Sequence, residues 1–241
     1  MIVRTHYEVG QTALSVVCDE SYMDAVRDAV FKARETIESK IAEDPFFGIT
    51  FDPYAPDDRD DPLIIRMCQS SEKAGVGPMA GVAGAVAERA VSAAVGRGCT
   101  HIIVENGGDI AMFTDRTSRI GVFAGEEGFS DMALEIKATD RITGICSSSG
   151  KVGPSVSFGS SGICTVFSDD VILADCCATA FGNMVRTGDR EEMSDAAERI
   201  CSIDGVRGCM CVCNGSLAVC GEVPELVKGI YGTDKLTGVD Y

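Results

Sequence analysis

The 241 residues contain no tryptophan and only two histidines, His6 and His101, and aromatic side chains make up 6% of the chain. So small a histidine supply gives a Ser-His-Asp or Cys-His nucleophilic mechanism little material to work with. His101 heads an apolar run and reads as a structural residue. Positive charge is scarce too. Lys and Arg total 21 against 37 Asp and Glu, a formal net charge of −16. That balance excludes the basic stripe a phosphate backbone requires, so no nucleic-acid partner is expected. No run approaches the roughly 20 apolar residues that span a bilayer. Met1-Ile2-Val3-Arg4-Thr5-His6 lacks the apolar core of a signal peptide. The expectation is a cytoplasmic chain with no membrane partner.

Twelve cysteines stand against these shortages, yet no CxxC pair occurs among them. The spacing for a tetrahedral zinc or iron–sulfur site is therefore missing. Disulfide frameworks belong to small secreted chains with weak cores. Here the cysteines fall in apolar runs such as Gly162-Ile163-Cys164-Thr165-Val166-Phe167, as reduced thiols serving as small hydrophobes do. Cys209, Cys211 and Cys213 alternate and would share one strand face.

The chain opens as strand, turn, strand over Ile2 to Tyr7 and Thr12 to Cys18. A helix from about Ser21 follows, with Val26, Val30, Ala33, Ile37 and Ile41 on one face. Residues 43–62 hold four of the seven prolines plus Asp57, Asp58, Asp60 and Asp61, and read as a long mobile loop with a solvated acidic cluster. Asp61-Pro62 opens a short helix through Lys73. Next comes a small-residue helix, Met79 to Arg89. Its Gly and Ala content costs helix propensity and makes sense only where the backbone lies close to a sheet or a ligand. Short strands fill Thr100 to Phe167. Helices from Val171 and near Ser194 to Ile203 precede a hairpin on Asn214-Gly215.

Two segments carry the chemistry. Asn106-Gly107-Gly108-Asp109 lies between apolar strands; consecutive glycines permit backbone angles that side chains forbid and let a ligand approach. The same residues would also serve a plain hairpin. Asp175 and Thr179 stand four apart on a helix, which stacks their oxygens on one face. Helix-dipole compensation by Asp and back-bonding by Thr would explain them equally. Carboxylate and hydroxyl are nonetheless hard ligands suited to Mg²⁺. Gly144 to Val152 is no phosphate loop, since five residues separate the glycines and Val152 follows Lys151. Ser147, Ser148, Ser149 and Gly150, like Ser157 to Gly162, still offer hydroxyls and amides to an anion.

Helix, Arg97-Gly98-Cys99, strand and Asn106-Gly107 are echoed by helix, Arg207-Gly208-Cys209, strand and Asn214-Gly215. The echo points to a duplicated unit. The expected fold is α+β, with two similar α/β-layered subdomains and antiparallel sheets. Residues 1–241 read as a single domain, with pseudo-repeats at about 1–115 and 116–241.

Taken in order, the segments Gly75-Val76-Gly77-Pro78-Met79-Ala80, Val104-Glu105-Asn106-Gly107-Gly108-Asp109-Ile110, Gly144 to Gly150 and Ala174-Asp175-Cys176-Cys177-Ala178-Thr179-Ala180 resemble the ApbE family. These are the FAD:protein FMN transferases; the closest likeness is to an uncharacterised ApbE-related family. The resemblance implies a tandem T-fold-like architecture. It implies that Asp175 and Thr179 ligate Mg²⁺ and that Asn106, Gly107, Gly108 and Asp109 lie by a flavin dinucleotide. It implies attack by an acceptor threonine on the FAD phosphoanhydride. Ala83-Gly84-Ala85 stands where those enzymes carry Lys-Gly-Tyr. Their His-x-x-Asp-Pro-x-Thr-Gly segment is replaced by Ser155-Val156-Ser157-Phe158-Gly159. The expected function is binding of FAD, FMN or another phosphorylated small ligand, with Mg²⁺-dependent transfer or hydrolysis at a pyrophosphate. The alternative is a non-catalytic ligand-binding or redox-assembly protein using its cysteine-rich second half as a partner surface. An acceptor protein and a homo-oligomer are both open.

Overall fold

The computed structural model describes residues 1–126, 128–129, 131–149 and 162–229. Gly150 and residues 157–161, expected above to offer groups to an anion, lie outside the described residues. Eight antiparallel strands form one continuous sheet in the order β1-β2-β3-β4-β7-β8-β9-β10. They are β1 (Ile2–Val9), β2 (Thr12–Asp19), β3 (His101–Asn106), β4 (Asp109–Thr114), β7 (Thr143–Ser148), β8 (Ile163–Ser168), β9 (Val206–Cys213) and β10 (Ser216–Gly221). A smaller antiparallel sheet, β11-β6-β5, comprises β5 (Ser118–Gly121), β6 (Met132–Ile136) and β11 (Glu225–Lys228). The helices are α1 (Met23–Glu43), α2 (Pro45–Ile49), α3 (Pro62–Ala74), α4 (Val82–Val95), α5 (Val171–Met184) and α6 (Arg190–Cys201).

The expected α+β class and antiparallel pairing hold. Each half runs hairpin, helices, hairpin, and the halves join where β4 pairs with β7 at Ile110↔Ile145, Ala111↔Gly144 and Met112↔Thr143. Strand alternation then divides the core. Val104, Ala111, Cys146, Cys164 and Val166 face the helices, while Met112, Ile145, Phe167 and Met210 face the smaller sheet. Sheet strands covered on both faces read as unbroken apolar runs, which accounts for β8 being buried along its whole length.

The cysteines are free thiols, and ten of the twelve are buried, with Cys201 and Cys220 half-buried. Cys209, Cys211 and Cys213 do share the helix-facing side of β9. Buried sulfurs supply no docking surface, so the reading of a cysteine-lined partner face is corrected.

Residues 43–62 are also corrected. Phe47 on α2 is fully buried, with Tyr54 packed edge-on at 5.5 Å. The Tyr54 hydroxyl donates to Asp44 at 2.6 Å. Lys40 Nζ meets Asp60 at 2.7 Å, with both side chains under 10% exposed. Asp61 caps α3 by accepting from the Leu63 amide. The acidic cluster is thus partly structural, since Asp60 is neutralised by a lysine that no local pattern pairs with it. Cys99 precedes β3 as expected, whereas Arg207, Gly208 and Cys209 already belong to β9. Among the described residues no helix is long and apolar enough to cross a membrane.

Candidate functional site

In the first hairpin of interest Asn106 and Asp109 are directly paired, leaving Gly107 and Gly108 as the two-residue turn. Their φ values of 65° and 103° are ones side chains resist, hence the glycines. Asp109 heads β4 with its side chain on the helix face, as Ala111 has. Asn106 donates through Nδ2 to the Ala83 carbonyl at 3.1 Å and so ties the turn to the start of α4.

Asp175 lies on α5, but not in its first turn; Asp170 caps that helix by accepting from the Leu173 amide. The carboxylate reaches sideways to α4. Asp175 Oδ2 accepts from the Gly84 amide at 2.8 Å, and the Ala83 amide is a further donor. These are orphan amides of the first turn of α4, whose own cap position is Gly81 and offers no side chain. The arrangement is reciprocal, for Glu88 of α4 accepts from the Val171 amide that begins α5. The helices cross so closely that a Cβ on Gly84 would fall 2.8 Å from the Val171 carbonyl oxygen and 3.0 Å from Asp175 Cβ. One on Gly81 would fall 2.8 Å from Cys176 Sγ. The backbone proximity expected from the small-residue helix is met at α5 as well as at the sheet, where Asn106 of β3 bonds to the Ala83 carbonyl.

Asp109 and Asp175 are brought together: their carboxyl groups are within hydrogen-bonding reach, although 66 positions separate them. Both are buried, at 8% and 6% exposure. Burial pushes Asp175 up to about 7, against the pull of the Gly84 and Ala83 amides. Burial first, and the charge of Asp175 second, hold the Asp109 carboxyl well above the usual range, although the Ser147 amide donates to it at 3.2 Å. Cys146 sits beside Asp109, its thiol directed at the Val171 carbonyl at 3.6 Å, and burial raises that thiol strongly. Two adjacent buried carboxylates cannot both stay ionised unless something neutralises them; they share a proton or hold a cation.

Among the described residues no set of three or more His, Cys, Asp and Glu side chains could hold a metal. What the pair offers is two carboxylates with the half-buried Thr179 one turn further along α5. An all-oxygen set of that charge suits Mg²⁺, which keeps several waters and prefers hard donors. The serines divide. Ser147 lends its amide to Asp109, but its hydroxyl lies on the opposite sheet face, 2.9 Å from Thr165 Oγ1. Ser148 is buried, and Ser149 donates to the Gly162 carbonyl at 2.6 Å. Sequence reasoning missed Glu88, Cys146 and the α4 amides. The glycines at 81 and 84 were the available signal.

A family model described as AbpE bacteria matches residues 2–208. A UPF0280 protein of Methanocella arvoryzae is 40% identical over 235 residues, covering 97% of this chain and 95% of the relative. One from Methanothrix thermoacetophila is 38% identical, covering 98% and 99%. Among solved structures, the apo form of the Pseudomonas stutzeri flavinyl transferase ApbE superposes with a TM-score of 0.61 at 12% identity, covering 91% of this chain and 94% of that one. The flavin transferase ApbE from Vibrio cholerae gives 0.56 at 10% identity, covering 91% and 96%. At such identities the likeness shows the fold.

Proposed function

This chain belongs to the AbpE bacteria family, and from that premise we propose that it binds FAD, FMN or a related phosphorylated small molecule beside Asp109 and Asp175. The proposed reaction is transfer or hydrolysis at a pyrophosphate. The observation that supports it is the meeting of these two buried carboxyl groups at the crossing of α4 and α5. Asp109, Asp175 and the Thr179 hydroxyl would hold Mg²⁺, which when bound supplies charge neutralisation for a pyrophosphate. The Gly107-Gly108 turn presents backbone without side chains, so a phosphate can approach closely. The α4 amides hold Asp175 in place, and the Ser147 amide does the same for Asp109. A partner protein accepting the flavin fragment belongs to the same proposal, because the superposing structures are flavin transferases.

The test is Mg²⁺-dependent release of FMN from FAD by the purified protein. Asp175→Ala should abolish it, while Cys209→Ala, in the core of β9, should leave it intact. A second reading rests on Asp175 serving as the cap of α4: there the protein binds ligand without turning it over. Flavin binding that is indifferent to chelators, with no product, would establish that reading and remove the first.

A further inference from the structure

Among the described residues the eight-stranded sheet ends in two free edges, β1 and β10, and they are built differently. In a two-residue hairpin the residues flanking the turn exchange both main-chain hydrogen bonds, and bonded and unbonded pairs then alternate. Asn214 and Gly215 form such a turn, with φ of 50° and 70°, so Cys213 and Ser216 are its first bonded pair. Ser216, Ala218 and Cys220 therefore turn their amides and carbonyls toward β9. The Glu222 amide keeps this phase by donating to the Arg207 carbonyl at 2.8 Å. Leu217 and Val219 are left with main-chain groups that point away from the sheet. Their side chains, 40% and 49% exposed, share a face with their fully buried cross-strand partners Val212 and Met210.

The same alternation, started at the Val9↔Thr12 pair, turns Ile2, Arg4, His6 and Glu8 outward on the edge formed by β1. Arg4, His6 and Glu8 carry charged or titratable groups, the usual guard against an added strand. On β10 that guard is missing: Ser216-Leu217-Ala218-Val219-Cys220-Gly221 holds no charge and no proline. Although the chain carries a net charge of −16, two β10 strands can meet without like charges opposite one another. We propose that β10 is the interface of a twofold homodimer, formed by antiparallel pairing with β10 of a second copy. With the axis at Ala218, Leu217 pairs with Val219 of the partner subunit, and the twofold repeats that pair on the other side. Both pairs are hydrogen-bonded ones, because all four residues present their main chains outward. The apolar side chains cover one another on the face they share. The proposal uses none of the groups assigned to the Asp109–Asp175 site and stands apart from it.

The experiment is sedimentation equilibrium of the full chain from micromolar to sub-millimolar concentration. The wild type should pass from monomer to dimer. Leu217→Lys with Val219→Lys sets like charges opposite one another in both pairs and should weaken the dimer about tenfold or more. Leu217→Glu with Val219→Lys sets opposite charges there and should restore much of the association. Ile2→Lys, on the exposed side of β1, should leave it unchanged. Circular dichroism confirms that each variant is folded. Amide hydrogen exchange should show Leu217 and Val219 protected at high concentration and unprotected at low. A monomer at every concentration, a dimer that survives the paired lysine changes, or one lost in Ile2→Lys would each overturn the proposal. So would equal dissociation of the two double variants, or protection of both amides at every concentration, which would put some other segment on the edge. Asp175→Ala should dimerise like the wild type, which separates this result from any failure of the flavin reading.

Discussion

Asp175 binds its proton more tightly in the folded chain than in the unfolded one, because burial lifts its carboxyl from 3.8 to about 7. The sign of the linkage follows: this contribution to stability is complete below pH ~4 and is lost as pH rises through about 7. Wild-type protein in EDTA should therefore lose stability over that interval relative to Asp175→Asn, by an amount of order a few kcal/mol. Asn keeps an oxygen for the Gly84 amide and removes the ionisation, so urea unfolding of the two proteins at several pH values isolates the effect. Parallel pH curves would show that Asp175 does not ionise in this range. Added Mg²⁺ should stabilise the wild type more at pH 8 than at pH 5, since the ion competes with the proton for the same oxygens. The placement of Asp175 and Thr179 one turn apart on a single helix was legible in the sequence. The α4 amides were not, because a contact between helices leaves no local pattern beyond the small residues that permit it.

Two elements govern the site, α4 and α5, and their crossing depends on the missing side chain at Gly84. Alanine there would gain about 1 kcal/mol of helix propensity. It would also set a Cβ 2.8 Å from the Val171 carbonyl oxygen, a backbone atom that cannot swing away. Overpacking of that kind costs typically 1–3 kcal/mol, so Gly84→Ala should be destabilising on balance. It should also weaken Mg²⁺ binding more than its stability loss explains, by displacing Asp175. An isothermal metal titration of the folded variant checks this; unchanged affinity would mean that the crossing does not position the carboxylate. Another element-scale device is the Lys40–Asp60 pair, which pins the segment between α1 and α3. Lys40→Met strands a buried carboxylate and should cost ~3 kcal/mol in urea unfolding, much of it recovered in Lys40→Met with Asp60→Leu. Here sequence pattern misled in an instructive way. Asp61-Pro62 announced the start of α3 because capping is local, whereas Asp60, its neighbour, looked solvated because its partner lies 20 residues back on α1.

Across the whole molecule, the repeated hairpin–helices–hairpin order leaves open whether two units unfold separately. The strand link between the halves is short, only the three register pairs of β4 with β7. The packing argues for unity. One apolar cluster runs from Leu14 and Val30 in the first half through Ala85 and Ile172 to Ile200 and Cys211 in the second. The smaller sheet is tied in too, because Glu126, which follows β5, accepts from the Asn214 and Gly215 amides at the β9–β10 turn, at 3.0 and 2.7 Å. That turn, like Gly107-Gly108, is a two-residue hairpin connection. What the echo between Arg97-Gly98-Cys99 and Arg207-Gly208-Cys209 could not convey is that the two helix layers interdigitate, since the contact of α4 with α5 arises only once the sheet is continuous. Separating the halves would strip Asp175 of its α4 amides and expose the Gly81–Cys176 contact to water. The unfolded half would thus remove partners from the folded one, which is the condition for all-or-none behaviour. Far-ultraviolet and tyrosine near-ultraviolet circular dichroism should therefore report a single coincident transition in urea, with equal calorimetric and van't Hoff enthalpies. Two resolved transitions would instead show that the β4–β7 pairing is a hinge between independent units and that the carboxylate pair forms only on their docking.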